Sequence, residues 1–197
     1  CVDRAITGRT KAVIAVDYAG HPADYSSLRA LVGDRNIKVL ADSCHALGAK
    51  YNGKPVSAIT DATVYSFHPV KHVTTGEGGA VTTFNGEYAE RIRVFRNHGM
   101  EDDFRDRERN NQWEYAINSL GFNYRITDIQ CALGISQLKK NDEWLSKRRE
   151  IAIRYDRALE SIDGVKPLFK SPTVDHAYHL YVIKLDESIE RRKAFVW

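Results

Sequence analysis

The chain has 197 residues, with 29 Lys and Arg against 26 Asp and Glu, a net charge of +3 and a hydrophobic content of 43%. This balance is typical of a globular protein, and so weak and evenly spread a positive charge argues against nucleic acid as a partner. No apolar run approaches the roughly 20 residues that a membrane span needs, so no membrane partner is expected. Cys1, Cys44 and Cys131 are an odd set at unrelated spacings, which indicates a reducing, cytoplasmic location rather than a disulfide framework.

Strand-like and helix-like patterns alternate along the first part of the chain. Lys11–Gly20 is a nearly continuous apolar run, typical of a strand buried on both faces. A helix is predicted to follow, with Asp24 near its N-cap and Gly33 at its end. Further strands are predicted at Ile37–Ser43, Ala62–His68 and Gly78–Phe84.

The next stretch contains a helix and a polar segment. Gly86–Gly99 is predicted to be a helix that ends at a glycine. Glu101–Gln112 is almost wholly polar, which predicts a solvated loop. Alternation of strands and helices predicts an α/β fold, with a mostly parallel sheet flanked by helices and right-handed crossovers.

The last part of the chain is predicted to be mainly helical. Thr127 and Gln130 form a capping box that opens a helix over residues 127–141, and a second helical run covers 143–162. Ala177–Leu185 returns to strand character and is predicted to begin another subdomain. Because the chain stops within a helical pattern that has no cap or breaker, we expect it to be a piece of a longer protein.

Polar side chains follow each of the first strands, at the edge where open α/β sheets bind ligands. Each alone has an ordinary explanation as a helix cap, a turn residue or a solvated side chain. Together they would place an acid, a histidine, a hydroxyl and a lysine at one edge of the sheet. The residues, strand by strand, are Asp17 with Tyr18, Asp42 with His45, and Ser66 with Lys71.

Metal binding is the first alternative, since Cys44, His45, His68 and His72 are possible ligands. Pro69 lies between the last two histidines, so the helix that would put them on one face is not expected. No C-x-x-C pair is present, and we expect no metal.

A phosphate loop is the second alternative, because "TTGEGG" is rich in glycine. This run precedes a predicted strand rather than a helix, and the G-x-x-x-x-G-K-[ST] pattern of a P-loop is missing. The pattern therefore does not indicate a nucleoside triphosphatase.

The chemistry of pyridoxal phosphate accounts for the combination better. This cofactor needs a lysine for a Schiff base and proton transfer, and a carboxylate to keep its ring nitrogen protonated. Its phosphate needs hydroxyl and N–H donors. Lys71, Asp42 and Ser66 are the residue types that these roles require.

Four stretches of the chain resemble the DegT/StrS family of pyridoxal-phosphate sugar aminotransferases. They are "VDYAGHPADYSSL", "LADSCHALGAKYNGK", "SFHPVKHVTTGEGGAV" and "LGFNYRITDIQCALGISQL". The resemblance implies the aspartate aminotransferase fold, which is fold type I of the pyridoxal-phosphate-dependent transferases. It covers nearly the whole chain.

The resemblance also implies roles for single residues. Lys71 corresponds to the lysine that forms the Schiff base and shuttles the proton, and Asp42 to the partner of the ring nitrogen. His45 resembles the His or Gln beside the ring hydroxyl, and Ser66 resembles a phosphate ligand.

Asn123, in "GFNYR", resembles the residue that reaches the phosphate of the neighbouring subunit, and Arg125 is a candidate to assist it. The implied enzyme is a homodimer with shared active sites. The resemblance further implies that residues 1–125 are part of the large cofactor-binding domain, 126–163 are connecting helices and 164–197 begin a smaller α+β C-terminal domain.

Within the family, "CHALGA" and "SFHPVKHVTTGEGG" resemble the branch that serves pseudaminic acid biosynthesis. That branch implies amination at C4 of UDP-linked 4-keto-6-deoxy-N-acetyl-altrosamine, with L-glutamate as amino donor. Amination of another nucleotide-linked ketosugar, perosamine-type or at C3, stays open, as does a non-catalytic regulator that binds the cofactor. Relatives that act as dehydratases have histidine in place of the lysine, so Lys71 argues against that reaction.

Overall fold

The computed structural model describes residues 1–100, 108–109, 111, 113–114, 116–186 and 190. In chain order, its first six strands are β1 Ala12–Val16, β2 Lys38–Asp42, β3 Lys50–Tyr51, β4 Lys54–Pro55, β5 Ala62–Ser66 and β6 Gly79–Thr82. Four of them form the main sheet, in the order β1-β2-β5-β6, whereas β3 and β4 form a hairpin outside it.

The main sheet is mostly parallel, as the sequence predicts. β1 pairs with β2, and β2 with β5, in parallel register, whereas β6 runs antiparallel to β5. A parallel pair needs a crossover, usually through a helix. The β5–β6 connection contains only turns and bends, so the chain reverses there.

The predicted helices are present, and their ends differ from the predicted ends by a few residues. Asp24 caps the helix after β1 by accepting a hydrogen bond from the Ser27 amide at 3.0 Å, and the capping box of Thr127 and Gln130 is present. The helices are α1 Val2–Ala5, α2 Tyr25–Val32, α3 Gly86–Arg96, α4 Asp128–Leu138 and α5 Asn141–Leu159. None of these described helices is long and apolar enough to cross a membrane.

One face of the main sheet forms the core. Tyr25 and Val32 of α2 are 1% and 2% exposed and pack with Val39 and Ala41 of β2. The opposite face carries Ile14 of β1, which is 66% exposed. The prediction that the first strand is buried on both faces is therefore wrong for this chain, because only one face is covered by the described elements.

Two smaller sheets complete the architecture. β3 and β4 form a hairpin through Asn52 and Gly53, whose φ angles of 49° and 73° suit a tight two-residue turn. Val174–Asp175 (β8) extends this hairpin by pairing with β3. Val165–Pro167 (β7) pairs with Ile183–Leu185 (β9).

The strand predicted at Ala177–Leu185 is wrong for residues 177–182, and only Ile183–Leu185 is a strand. The backbone of the earlier residues bonds to the loop after β1 instead, as in the hydrogen bond from the Ala177 amide to the Gly20 carbonyl at 2.9 Å. The loop predicted at Glu101–Gln112 lies mostly outside the described residues.

The uncovered sheet face generates a prediction about association. Ile14, Val16, Val64 and Val81 are between 42% and 66% exposed on neighbouring strands, and exposed apolar patches of this kind promote association. Produced by itself, the 197-residue chain should self-associate, and the double substitution Ile14→Thr and Val81→Thr should lower the associated fraction several-fold in analytical ultracentrifugation. Ile129→Thr, which changes an exposed residue on α4, is the control and should have little effect. A monodisperse parent chain would contradict the prediction.

Candidate active site

The carboxyl ends of the parallel strands bring the predicted residues to one edge. Val16, Asp42 and Val64 are register partners across β1, β2 and β5, and partners in register share one face of a sheet. Ser66 follows Val64 by two residues and shares its face. Asp42 and Ser66 therefore lie on the uncovered side of the main sheet, at its carboxyl edge.

Asp42 is half-buried at the end of β2. Its Oδ1 atom accepts a hydrogen bond from the Cys44 amide at 3.1 Å, which fixes the carboxylate relative to the following loop. Burial is the main cause that raises the pKa of the Cys44 thiol to about 11, and the hydrogen bond and charge of Asp42 add to this effect. Cys44 is thus a neutral thiol at physiological pH, which makes it a poor nucleophile.

Asp17 and Tyr18, which follow β1, have different positions. Asp17 is fully buried and accepts hydrogen bonds from the Tyr25 hydroxyl at 2.7 Å, the Ala23 amide at 2.9 Å and the Ser43 hydroxyl. Its carboxylate joins the ends of β1 and β2 to the start of α2, which is a structural role. The exposed ring of Tyr18 lies with its centre 6.0 Å from that of His45.

His45 is held in one tautomer by the loop after β1. The Ala19 amide donates to its Nδ1 atom at 3.3 Å, so this nitrogen carries a lone pair and the proton resides on Nε2. Burial lowers the pKa of His45, and the positive charge of Lys71 lowers it further against the opposing effect of Asp42. The ring is a neutral Nε2–H donor close to both charges.

Lys71 lies in the turn that follows β5. Its amide donates to the His68 carbonyl at 2.9 Å, and the turn is closed at its base by the Phe67 amide, which donates to the Gly78 carbonyl at 2.9 Å. The side chain of Lys71 is partly buried. Burial is the main cause of the lowered pKa values of His45 and His72, and the charge of Lys71 contributes to both.

Ser66 and the glycines of "GEGG" form the base of the same turn. Ser66 is the register partner of Gly79, and its hydroxyl oxygen accepts a hydrogen bond from the His68 amide at 3.3 Å. A Cβ atom at Gly79 would lie 2.7 Å from the Tyr65 carbonyl oxygen. Close backbone packing explains Gly79, whereas Gly76 and Gly78 have the positive φ angles of 81° and 146° that favour glycine, and the run leads into a strand, as the sequence predicts.

Asn123 lies in the loop that packs against the end of α3. It is exposed and forms an antiparallel bridge with Asn97, at the end of α3. Arg125 donates from Nη1 to the Asn97 side-chain oxygen at 3.0 Å. The loop is tightly held, since a Cβ atom at Gly121 would lie 2.1 Å from the Gly99 amide nitrogen. The structure thus brings Asp42, His45, Ser66 and Lys71 to one edge of the sheet, whereas Asn123 is exposed on the loop beside α3.

Two histidines that the sequence does not assign to the site lie close to His45 and to the lysine turn. His72 is 6% exposed and His179 is half-buried, and the ring centre of His179 lies 4.4 Å from that of His45 and 5.3 Å from that of His72. The signal that could have indicated His72 is its position in "FHPVKH", next to the lysine. Among the described residues, no three possible ligands are grouped as a metal site would require.

The residues present fit pyridoxal phosphate. A partly buried primary amine, a half-buried carboxylate and a hydroxyl lie at one sheet edge, as its aldehyde, ring nitrogen and phosphate require. Among the described residues, Asp42 forms no salt bridge, so its charge is not neutralised by a protein cation there. Beside it, Val16 and Val64 offer apolar surface on the uncovered face.

Comparison with known proteins identifies the family of this chain. Residues 1–197 match the DegT/DnrJ/EryC1/StrS aminotransferase family. The structure resembles that of Helicobacter pylori PseC, an aminotransferase involved in the biosynthesis of pseudoaminic acid, with a TM-score of 0.85 and 39% identity over 94% of this chain and 48% of that chain. It also resembles the PLP form of Streptococcus pneumoniae Spr1654, with a TM-score of 0.85 and 31% identity over 99% of this chain and 53% of that one.

Among curated sequences, the UDP-4-amino-4,6-dideoxy-N-acetyl-beta-L-altrosamine transaminase of Helicobacter pylori is 40% identical over 90% of this chain and 46% of its own length. The fold is fold type I of the pyridoxal-phosphate-dependent transferases. The chain belongs to the DegT/DnrJ/EryC1/StrS aminotransferase family. It spans about half the length of the relatives that it matches.

The buried histidines predict how stability depends on pH. Burial is the main cause that lowers the pKa of His72 and of His179 from 6.5 to about 4. In the unfolded state their pKa returns to the ordinary value, so below about pH 6.5 the unfolded state binds more protons than the folded state. Stability should therefore be highest above pH 6.5 and fall as the pH drops towards 4.

Substitution of the nine-tenths buried His72 tests this dependence in urea unfolding at pH 7, 6 and 5. His72→Gln keeps an N–H donor but cannot titrate, so its loss of stability on acidification should be smaller than the parent's, by up to roughly 3 kcal/mol at the acid limit. His68→Gln, at an exposed site in the same turn, is the control and should follow the parent. Equal pH dependence in His72→Gln and the parent would show that His72 does not contribute.

Proposed function

We propose that the protein is a pyridoxal-phosphate-dependent aminotransferase that transfers the amino group of L-glutamate to a nucleotide-linked 4-keto-6-deoxy sugar. The observation that carries the proposal is that Asp42 at the end of β2 and the turn with Lys71 after β5 both lie at the carboxyl edge of neighbouring parallel strands. The substrate we propose is UDP-4-keto-6-deoxy-N-acetyl-altrosamine, aminated at C4 in pseudaminic acid biosynthesis. The names of the Helicobacter pylori relatives support this choice.

Lys71 is the residue proposed to bind the cofactor covalently. Its amine would hold the cofactor until the amino donor displaces it, and the freed amine would then move a proton from Cα of the donor. When bound, pyridoxal phosphate supplies the electron sink that makes this Cα proton acidic. For the ketosugar half of the reaction, the same amine would return a proton to the sugar carbon.

Asp42 and His45 are proposed to set the electronic state of the ring. A negative charge beside the ring nitrogen raises the pKa of that nitrogen, so the carboxylate of Asp42 would keep it protonated. The Nε2–H group of His45, fixed by the bond from the Ala19 amide, is available to donate to the ring hydroxyl. Ser66 would donate its hydroxyl to the phosphate.

The covalent role of Lys71 can be tested in the complete protein. Borohydride reduction after addition of pyridoxal phosphate should attach the cofactor to the Lys71 peptide, as read by mass spectrometry. Lys71→Ala should abolish this adduct and lower amino transfer from L-glutamate by several orders of magnitude, because alanine has no amine to form the link. Lys50→Ala, at an exposed position in β3, is the control and should retain both. An adduct on another lysine in the parent would overturn the assignment.

We also propose a homodimer in which Asn123 binds the cofactor phosphate of the partner copy. Asn123 is exposed on the loop that packs against α3, so its side chain is available to a partner copy. Lys71→Ala and Asn123→Ala proteins should each be weakly active, whereas their mixture should regain activity because a mixed dimer has one intact site. Half of the dimers in an equal mixture are mixed, so about a quarter of parental activity is expected. No recovery in a sample with proven mixed dimers would show that Asn123 does not act across the interface.

A further inference from the structure

The segment His176–Leu180 crosses the loops that carry the site. The Ala177 amide donates to the Gly20 carbonyl at 2.9 Å, and the Leu180 amide donates to the Ala19 carbonyl at 3.2 Å. Contact is close, because a Cβ atom at Gly20 would lie 2.7 Å from the Tyr178 amide nitrogen. The segment is therefore docked on the loop whose Ala19 amide holds His45.

Helix α5 holds the same segment from its other side. Arg148 donates from Nη1 to the Tyr178 carbonyl at 3.0 Å, and Arg149 donates from Nε to the His176 carbonyl at 3.0 Å. Both bonds engage backbone carbonyls, so they fix the path of the main chain. The segment is therefore a support that is hydrogen-bonded on both sides, between α5 and the loop after β1.

His72 connects this support to the lysine turn. Its Nε2 atom lies 2.9 Å from the Ala177 carbonyl oxygen, and because a carbonyl only accepts, Nε2 carries the proton. The contact is buried and joins residues 105 positions apart in the sequence. His72 directly follows Lys71, whereas His68, Pro69 and Val70 on the other side of the lysine are exposed.

His179 completes the connection between the two sides of the site. Its ring lies between those of His45 and His72, at centre distances of 4.4 and 5.3 Å. Its Nδ1 atom is buried without a hydrogen-bond partner. An apolar side chain would fill the same space without leaving a buried polar atom unpaired, so packing alone does not explain a histidine here.

We propose that His72 is a positioning residue for Lys71: its hydrogen bond to Ala177 anchors the lysine turn to the His176–Leu180 segment, and His179 extends this anchor to His45. The proposal rests on the proposed function of Lys71. It assigns a physical role to the second histidine of "FHPVKH". Movement of Lys71 by a fraction of an ångström would alter proton transfer far more than it would alter substrate binding.

Two substitutions at His72 separate the hydrogen bond from the packing. His72→Phe keeps a ring of similar shape but removes the donor, and His72→Gln keeps an N–H donor of similar reach. In the complete protein we expect His72→Phe to lower kcat by about ten- to a hundredfold with a change in KM of less than about threefold, and His72→Gln to restore kcat to within about threefold of the parent. Comparable kcat in His72→Phe and the parent would overturn the proposal, as would equal losses in both variants.

Amide hydrogen exchange gives a readout that needs no cofactor. In the unloaded protein, residues 68–75 should exchange faster in His72→Phe and regain protection in His72→Gln. Unchanged exchange in His72→Phe would also overturn the proposal.

If His72→Phe does not fold, Gly20→Ala displaces the support from the opposite side. Its matched control is Gly53→Ala, which has a similar positive φ but no neighbouring atom within 4 Å of the added Cβ. Gly20→Ala should lower kcat and Gly53→Ala should not, and equal effects would count against the proposal. Borohydride trapping of the parent tests the proposed function separately. If the parent forms no Lys71 adduct, the proposed role of Lys71 is wrong, whatever the His72 variants do.

Discussion

The buried carboxylate of Asp17 is the interaction on which the arrangement of the strand ends depends. A buried acid is destabilising unless its oxygens are hydrogen-bonded. Here burial raises the pKa of Asp17, while the hydroxyls of Ser43 and Tyr25 and the Ala23 amide oppose that effect by bonding to it. These donors come from the end of β2, from α2 and from the chain just before α2. The carboxylate therefore fixes the loops that carry Asp42, His45 and Ala19 before any ligand is present.

One face of the main sheet packs into the core, and the other face carries residues of the candidate site. Tyr25 and Val39 lie in the covered face, so the positions of the strand ends are fixed by a packed core. Asp42 and Ser66 lie on the other face, where Val16 and Val64 remain exposed. The reversal of the chain at β6 adds the lysine turn to this edge, because the turn must close at its base through Phe67 and Gly78. The flat aromatic ring of the cofactor suits this partly apolar surface.

Local signals explain which parts of the fold could be predicted from the sequence. The strands at β1, β2, β5 and β6 and the capping box of α4 follow from apolar runs and from neighbouring residues, and the structure confirms them. The rule that ligands lie at carboxyl strand ends selects Asp42, Ser66 and Lys71, and the structure has them at the end of β2, at the end of β5 and in the turn after β5. Their roles came from the resemblance and remain proposals, as does the action of Asn123 across a dimer.

Tertiary contacts explain what the sequence could not show. The aromatic run at Ala177–Leu185 has the composition of a strand, yet residues 177–180 bond to the loop after β1 and to α5, which no local pattern reveals. One-sided burial of β1 likewise depends on which elements cover it. The sequence presents His72 only as a possible metal ligand, because its hydrogen-bond partner, the Ala177 carbonyl, lies 105 residues away.

Burial of the histidines determines which charges act at the site. His72 and His179 are neutral at physiological pH because burial lowers their pKa to about 4, and burial lowers the pKa of His45 as well. Were they cationic, they would compete with the cofactor ring for the negative charge of Asp42 and would repel a protonated Lys71. With the rings neutral, the charges of Asp42 and Lys71 are not opposed by histidine cations. The histidines can then act through shape and through directed N–H bonds, which position groups without altering the sign of the local field.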